Sequence, residues 1–271
     1  MRRTFRRLDA RCIGLRVAYT LMIQFDSLRV STFPSARQLG EQAAADLAEV
    51  LNAELAAHGE AALIVATGNS QLQFMQALCM RRDLAWDRIS IFHMDEYLGM
   101  DESHPASFRR YIREKLVDNV QPRAFYGLQG DAADTHAEIA RYTALLKQQR
   151  PVACVMGIGE NGHLAFNDPP ADFETREFVH VVQLDEACRA QQVGEGHFAC
   201  LDTTPTHALS LTIHALLQPS RLFVVVPEAR KARAVRDALR GPISPACPAS
   251  ILRTCAHAHL YLDVESAGLL N

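Results

Sequence analysis

The chain is 271 residues long, 48% apolar and 22% charged, with a formal net charge of -3. These proportions fit a soluble globular protein and exclude collagen-like, coiled-coil and disordered chains, and no apolar run reaches the ~18–20 residues of a membrane-spanning helix. Arg2, Arg3, Arg6, Arg7, Arg11 and Arg16 face Asp9 alone in the first 21 residues, so the rest is net acidic, without the basic face that nucleic-acid phosphates demand.

Residues 1–21 read as an N-terminal extension, disordered or produced by an early start codon. The apolar stretch from Cys12 to Phe25 is broken by Arg16, and no clear small-residue cleavage site follows, which argues against a secretory signal. An arginine-rich targeting segment is the second reading. Residues 22–271 read as one domain, and the segment from Met22 leads straight into a helix. From Ser35 to His58, Leu39, Ala43, Leu47, Val50, Leu51 and Leu55 recur at helical spacing. Ala61 to Ala66 is a short apolar run, and Gln71 to Arg82 is helical. Ile89 to Phe92 reads as a strand, Pro105 to Leu116 and Asp134 to Gln149 as helices, and Val152 to Met156 as a strand.

Further strands are expected at Val179–Leu184, Leu222–Val226 and His259–Leu262, with a helix from Ala229 to Leu239. The stretch from Ala208 to Thr212 fits either strand or helix. Apolar runs without polar alternation suit strands buried on both faces. Their alternation with helices predicts an α/β fold, a single Rossmann-like domain with a mainly parallel sheet and helices on both faces. Ligands bind such sheets at the carboxyl ends of the strands, and three motifs sit just there.

The first motif is Thr67-Gly68-Asn69-Ser70. Glycine lets the backbone approach a ligand closely, and a following helix points amide groups and its positive dipole end at an anion. The second is His93-Met94-Asp95-Glu96-Tyr97. Adjacent carboxylates at a strand end point to opposite sides, so one can face a cleft as a general base while the other makes a structural contact. The third runs from Met156 through Gly157, Gly159, Asn161, Gly162, His163 and Asn167 to Asp168 and Pro169. Its glycines allow tight turns, and a carboxylate on one ring nitrogen of His163 would leave the other for acid–base work.

Together these motifs resemble the glucosamine-6-phosphate deaminase family, within the wider group that includes 6-phosphogluconolactonases. The likeness runs from about Phe25 to Asp263, with the motifs in family order and spacing. It implies conversion of glucosamine 6-phosphate and water to fructose 6-phosphate and ammonia, without metal or organic cofactor. By that resemblance Asp95 is the proton acceptor at the amine-bearing carbon, His163 opens the sugar ring, and Asp168 and Asn161 belong to the histidine relay. Thr67, Gly68, Asn69 and Ser70 take the phosphate-loop positions, and Arg189 and Lys231 fall where the family places two basic phosphate ligands. A sugar phosphate is thus the expected partner, rather than nucleic acid or membrane. A homo-oligomer is compatible with a family that ranges from monomers to hexamers.

Asn161 stands where the family commonly has aspartate, and Asp168 where it usually has glutamate. Glu174-Thr175-Arg176-Glu177 carries an acid where an allosteric member would use a lysine, so activation by N-acetylglucosamine 6-phosphate is not expected. Alternatives are a 6-phosphogluconolactonase-type hydrolase, a deaminase for an epimeric amino sugar phosphate, and a non-catalytic sugar-phosphate sensor. Tyr97 and Asn167-Asp168-Pro169 are deaminase-like and weigh against the lactonase. Residues 159–185 are expected to form a mobile lid. His257 and His259 read as structural, His104-Pro105 as a helix start and Trp86 as packing. Seven scattered cysteines resemble neither a disulfide framework nor a zinc site, so reduced thiols and a cytoplasmic location are expected.

Overall fold

A computed structural model describes residues 21–270 apart from Asp185, Glu195 and His197. The extension proposed for residues 1–21 lies, except for Leu21, outside the described residues. The chain opens with a hairpin of β1 (Leu21–Phe25) and β2 (Leu28–Phe33). Its tight turn puts Asp26 at φ 51, a left-handed conformation that aspartate tolerates better than most residues. The sequence pattern leads from Met22 straight into a helix, whereas the helix follows only after this hairpin.

Helix α1 (Ala36–His58) begins at Ser35, whose hydroxyl accepts from the Gln38 amide at 3.3 Å, and ends at left-handed Gly59. There follow β3 (Ala61–Val65), α2 (Leu72–Cys79), β4 (Ile89–His93) and the short β5 (Asp95–Tyr97). Helix α3 (Phe108–Ile112) continues through a π-helical turn, Arg113–Val117, into α4 (Asp118–Val120). It starts at Ser107, three residues after His104; the His104 ring instead accepts from the Ala106 amide and stacks on Phe198. Strand β6 (Ala124–Tyr126), α5 (Thr135–Gln149), β7 (Ala153–Met156), β8 (Val179–Gln183) and α6 (Glu186–Gly194) come next. The chain finishes with β9 (His207–Leu211), α7 (Ile213–Leu216), β10 (Arg221–Val226), α8 (Ala232–Arg240) and β11 (Ala258–Asp263).

Eight strands form one sheet in the order β1-β2-β11-β10-β7-β3-β4-β6, and all neighbours are parallel except the β1–β2 pair. Alternate residues feed two apolar layers. Ala62, Ile64, Cys154, Met156, Val224 and Val226 face one side, while Leu63, Val65, Val155, Phe223 and Val225 face α1 and α2 on the other. Full burial contributes ~1.5–3 kcal/mol for each such Leu, Ile, Val or Phe side chain. Trp86 lies in the second layer, as packing.

Strands β8 and β9 do not enter that sheet. With β5 they form a separate antiparallel sheet in the order β5-β9-β8, over a smaller core containing Tyr97, Phe166, Phe198 and Ala208. From β3 the large sheet grows outward through β4 and β6, then reverses to place β7 on the other side of β3. The crevice at such a reversal is where ligands bind in this architecture.

Candidate active site

The loops after β3, β4, β7 and β10 emerge at the carboxyl ends of four adjacent strands. After β3, Gly68 adopts φ 102 and ψ 162, a conformation that only glycine takes without strain. Tyr111 donates its hydroxyl hydrogen to the Gly68 carbonyl at 2.8 Å. A turn of 3-10 helix, Asn69–Gln71, then enters α2. The buried Gln71 amide reaches the Val225 carbonyl of β10 at 3.2 Å and Ser70 Oγ at 3.3 Å. Thr67, Gly68, Asn69 and Ser70 therefore present a hydroxyl- and amide-rich loop at the reversal. Ser70 lies beside Gly157, where an added Cβ would come within 3.5 Å of its hydroxyl oxygen.

The two carboxylates after β4 have separate environments. Glu96 is fully buried and accepts from Ser107 Oγ (2.7 Å) and from the amides of Tyr97 (3.0 Å), Phe108 (3.2 Å) and Arg109 (3.0 Å). Arg109 Nε lies 3.3 Å from it. Glu96 thus ties the start of α3 to β5. Asp95 is also buried, but its Oδ1 has no hydrogen-bond partner among the described residues. Burial, reinforced by the Glu96 charge, pushes its carboxyl up to about 8. A buried acid with an unpartnered oxygen at a ligand crevice is a candidate proton-transfer group.

After β7 the chain turns sharply: the Gly159 amide donates to the His163 carbonyl at 2.9 Å and the Gly162 amide to the Gly159 carbonyl at 3.0 Å. The His163 ring lies directly over Gly159, where an added Cβ would come within 2.2 Å of ring carbon Cε1. His163 Nδ1 is 3.1 Å from Asp168 Oδ1, in ion-pair range but off the hydrogen-bonding direction. Asn161 joins both: its amide donates to Asp168 Oδ1 at 2.8 Å, and its carbonyl oxygen accepts from the His163 backbone amide at 3.0 Å. His163, Asp168 and Asn161 therefore form one connected group, with ring nitrogen Nε2 on the side away from the carboxylate.

Asp95 and the histidine loop share a frame. Asp95 pairs with Ser210 of β9, and Ser210 Oγ accepts from the Phe166 amide at 3.1 Å. Asn167 Nδ2 donates to the Leu211 carbonyl at 2.8 Å, and the Leu211 amide to the Met94 carbonyl at 2.8 Å. Nothing in the sequence singles out Ser210 within the stretch from Ala208 to Thr212, which fits either strand or helix. A strand assignment there would have supplied the alternation, but not the partner.

Lys231 closes a 3-10 turn, Ala229–Lys231, after β10 and is buried at the entry to α8. Arg189 has a different setting. Its Nη2 donates to the carbonyls of Leu201 and of Thr204 (3.1 Å for the second), while Nε is buried without a partner among the described residues. Binding a phosphate through Nη2 would require it to leave those carbonyls. His259 Nε2 is 2.8 Å from Ser31 Oγ and His257 Nε2 is 3.3 Å from the Leu217 carbonyl, so both have structural partners. Among the described residues no three His, Cys, Asp or Glu side chains converge as a metal site, and no helix is long and apolar enough to cross a membrane.

The chain matches the family described as glucosamine-6-phosphate isomerases/6-phosphogluconolactonase over residues 34–261. It is 35% identical over 225 residues to a glucosamine-6-phosphate deaminase of Exiguobacterium sibiricum, covering 82% of this chain and 87% of that one. It is 30% identical over 248 residues to a glucosamine-6-phosphate deaminase of Bacillus pumilus, covering 89% of this chain and all of the relative. Among solved structures, a monomeric glucosamine-6-phosphate deaminase superposes with a TM-score of 0.81 at 29% identity, over 89% of this chain and 99% of that one. A 6-phosphogluconolactonase of Trypanosoma brucei shares the fold, with a TM-score of 0.72 at 18% identity, over 89% and 98%.

Proposed function

Because this chain belongs to the family of glucosamine-6-phosphate isomerases and 6-phosphogluconolactonases, we propose that it is a glucosamine-6-phosphate deaminase, releasing ammonia and fructose 6-phosphate. The observation that carries the reading is the division of labour between two adjacent carboxylates. Glu96 is occupied by α3, while Asp95 is buried with an oxygen unpartnered.

The loop Thr67–Ser70 and Lys231 hold the phosphate, and Arg189 is a further cation for it if it leaves the Leu201–Thr204 turn. Cationic donors and loop amides suit a dianion. His163 Nε2 moves a proton at the ring oxygen to open the sugar, while Asp168 stabilises the charged imidazole. Asp95 then removes the proton from the amine-bearing carbon and returns it to the neighbouring carbon. The ketimine so formed adds water and loses ammonia. Asp95 must be ionised to act, and the ammonium of the bound substrate favours that form by opposite charge. Anchoring the phosphate holds the carbons in register with both groups.

Residues 22–271 act as one catalytic domain in this reading, working on amino sugar phosphates in the cytoplasm. N-acetylglucosamine breakdown is the matching source of substrate. The direct test compares ammonia release from glucosamine 6-phosphate with acid production from 6-phosphogluconolactone. Ammonia with little acid supports the deaminase; acid without ammonia assigns the lactonase, and binding without either product a sensor. The galacto epimer in the same assay tests epimer preference.

A further inference from the structure

The turn that carries Lys231 is built on an unusual backbone. Strand β10 ends at Val226, and two residues later Glu228 adopts φ 83 and ψ 139. Side chains with a Cβ rarely take that conformation, and it persists only where surroundings over-determine it. Here one carboxylate holds the backbone amide. The Glu228 amide donates to both oxygens of Asp263, at 3.3 and 3.1 Å. Asp263 is the last residue of the neighbouring strand β11 and is itself buried. It is held in turn by the Ser266 amide on Oδ1 at 2.8 Å, while its own amide donates to Ser266 Oγ at 3.1 Å.

What Glu228 fixes lies directly downstream. Its carbonyl accepts from the Lys231 amide at 3.0 Å, closing the 3-10 turn, so its dihedrals set the direction in which that turn leaves the sheet. Its carboxylate holds Arg230 Nε at 2.5 Å, and Arg230 Nη1 reaches Glu160 Oε1 in the histidine loop at 3.1 Å. We propose that Asp263 is a positioning residue for sugar-phosphate binding: its carboxylate holds Glu228 in the conformation that presents Lys231 to the phosphate. This rests on Lys231 being a phosphate ligand. Asp263 itself touches no reacting atom.

The test measures KM and kcat for glucosamine 6-phosphate, and the Kd for inorganic phosphate, which does not depend on turnover. Asp263→Ala is expected to raise KM and the phosphate Kd about tenfold with kcat within about threefold, because Lys231 is one phosphate contact among several and the loop Thr67–Ser70 still holds the sugar carbons in register. Adding Glu228→Gly is expected to restore both to within about threefold of wild type, because glycine adopts positive φ without steric cost. A purely structural role at the Asp263–Ser266 turn would show no such rescue. Unchanged KM and Kd in Asp263→Ala, or elevated values that glycine fails to lower, overturn the proposal. Asp263→Leu, similar in shape but with no acceptor for the Glu228 amide, carries the same comparison, alone and with Glu228→Gly, if the alanine variant does not fold. Lys231→Ala separates the two levels. Unchanged KM and Kd there would remove the phosphate role of Lys231 and this proposal together. A rise there with no change in the Asp263 variants removes only the positioning role.

Discussion

Asn161 donates its side-chain amide to Asp168 at 2.8 Å while its carbonyl oxygen accepts from the backbone amide of His163. A carboxylate at position 161 would set two acids against each other at that distance; the amide instead orients the single acid facing the imidazole. Asp168→Ala is expected to lower kcat about 100-fold, within the range for a group supporting acid–base catalysis. Asn161→Ala, which removes only orientation, is expected to cost about tenfold, with KM within about threefold in both. Steady-state kinetics check both; a larger loss for Asn161→Ala than for Asp168→Ala contradicts this order.

Gly159 is expected to be intolerant of even one methyl group. An added Cβ would come within 2.2 Å of the His163 ring, so the ring must leave its place. Gly159→Ala should lose at least about 100-fold in kcat while unfolding cooperatively, with stability lowered by about 1–3 kcal/mol. Denaturant unfolding alongside the kinetics separates a displaced imidazole from a general loss of fold.

The adjacent carboxylates are expected to fail differently. The Glu96 side chain is fully buried against Arg109, whose own side chain is 6% exposed. Removing one member of a buried pair costs about 3–5 kcal/mol, so Glu96→Ala should shift the urea midpoint strongly. Asp95→Asn should leave that midpoint near wild type or above it at pH 8 and abolish turnover. Equal destabilisation by both substitutions would contradict the division.

Stability should also depend on pH through Asp95. Its folded carboxyl, pushed to about 8 by burial and then by Glu96, lies above the unfolded value of about 4. Its contribution is therefore present below pH 4 and lost as pH rises toward 8. His93 runs oppositely: burial, with Arg109 adding, holds it down to about 3, so its contribution is present above about pH 6.5 and lost as pH falls toward 3. Between pH 5 and 7.5, wild type should lose about 1.4 kcal/mol per pH unit relative to Asp95→Asn. Urea unfolding of both proteins across that range checks the slope, and a pH-independent difference would place the Asp95 pKa elsewhere. The activity counterpart is kcat/KM rising with pH toward about 8.

Much of the large sheet was legible because its central strands are buried on both faces and therefore continuously apolar, as in Ala61–Val65. The hairpin before α1 was not, since its turn at Asp26-Ser27 lacks glycine. Strand β5 has only three residues, too few for a period. A strand is legible at Val179–Leu184, but nothing local says which sheet it joins. The closeness of His163 and Asp168 is legible because one loop holds both. The Glu96–Arg109 pair, the Ser210 link and the Asp263–Glu228 clamp join residues with no fixed spacing, and each is decided by tertiary packing. Arg189 illustrates the same limit: nothing local predicts that its guanidinium turns to the carbonyls of Leu201 and Thr204.

The most direct test is ammonia release from glucosamine 6-phosphate by wild type and by Asp95→Asn, with substrate affinity measured in parallel. The account predicts ammonia and fructose 6-phosphate in equal amounts from wild type. It predicts at least about a thousandfold loss in the variant with affinity within several-fold, the loss expected for a missing acid–base group. Near-normal ammonia release by Asp95→Asn, or none from wild type, would contradict it.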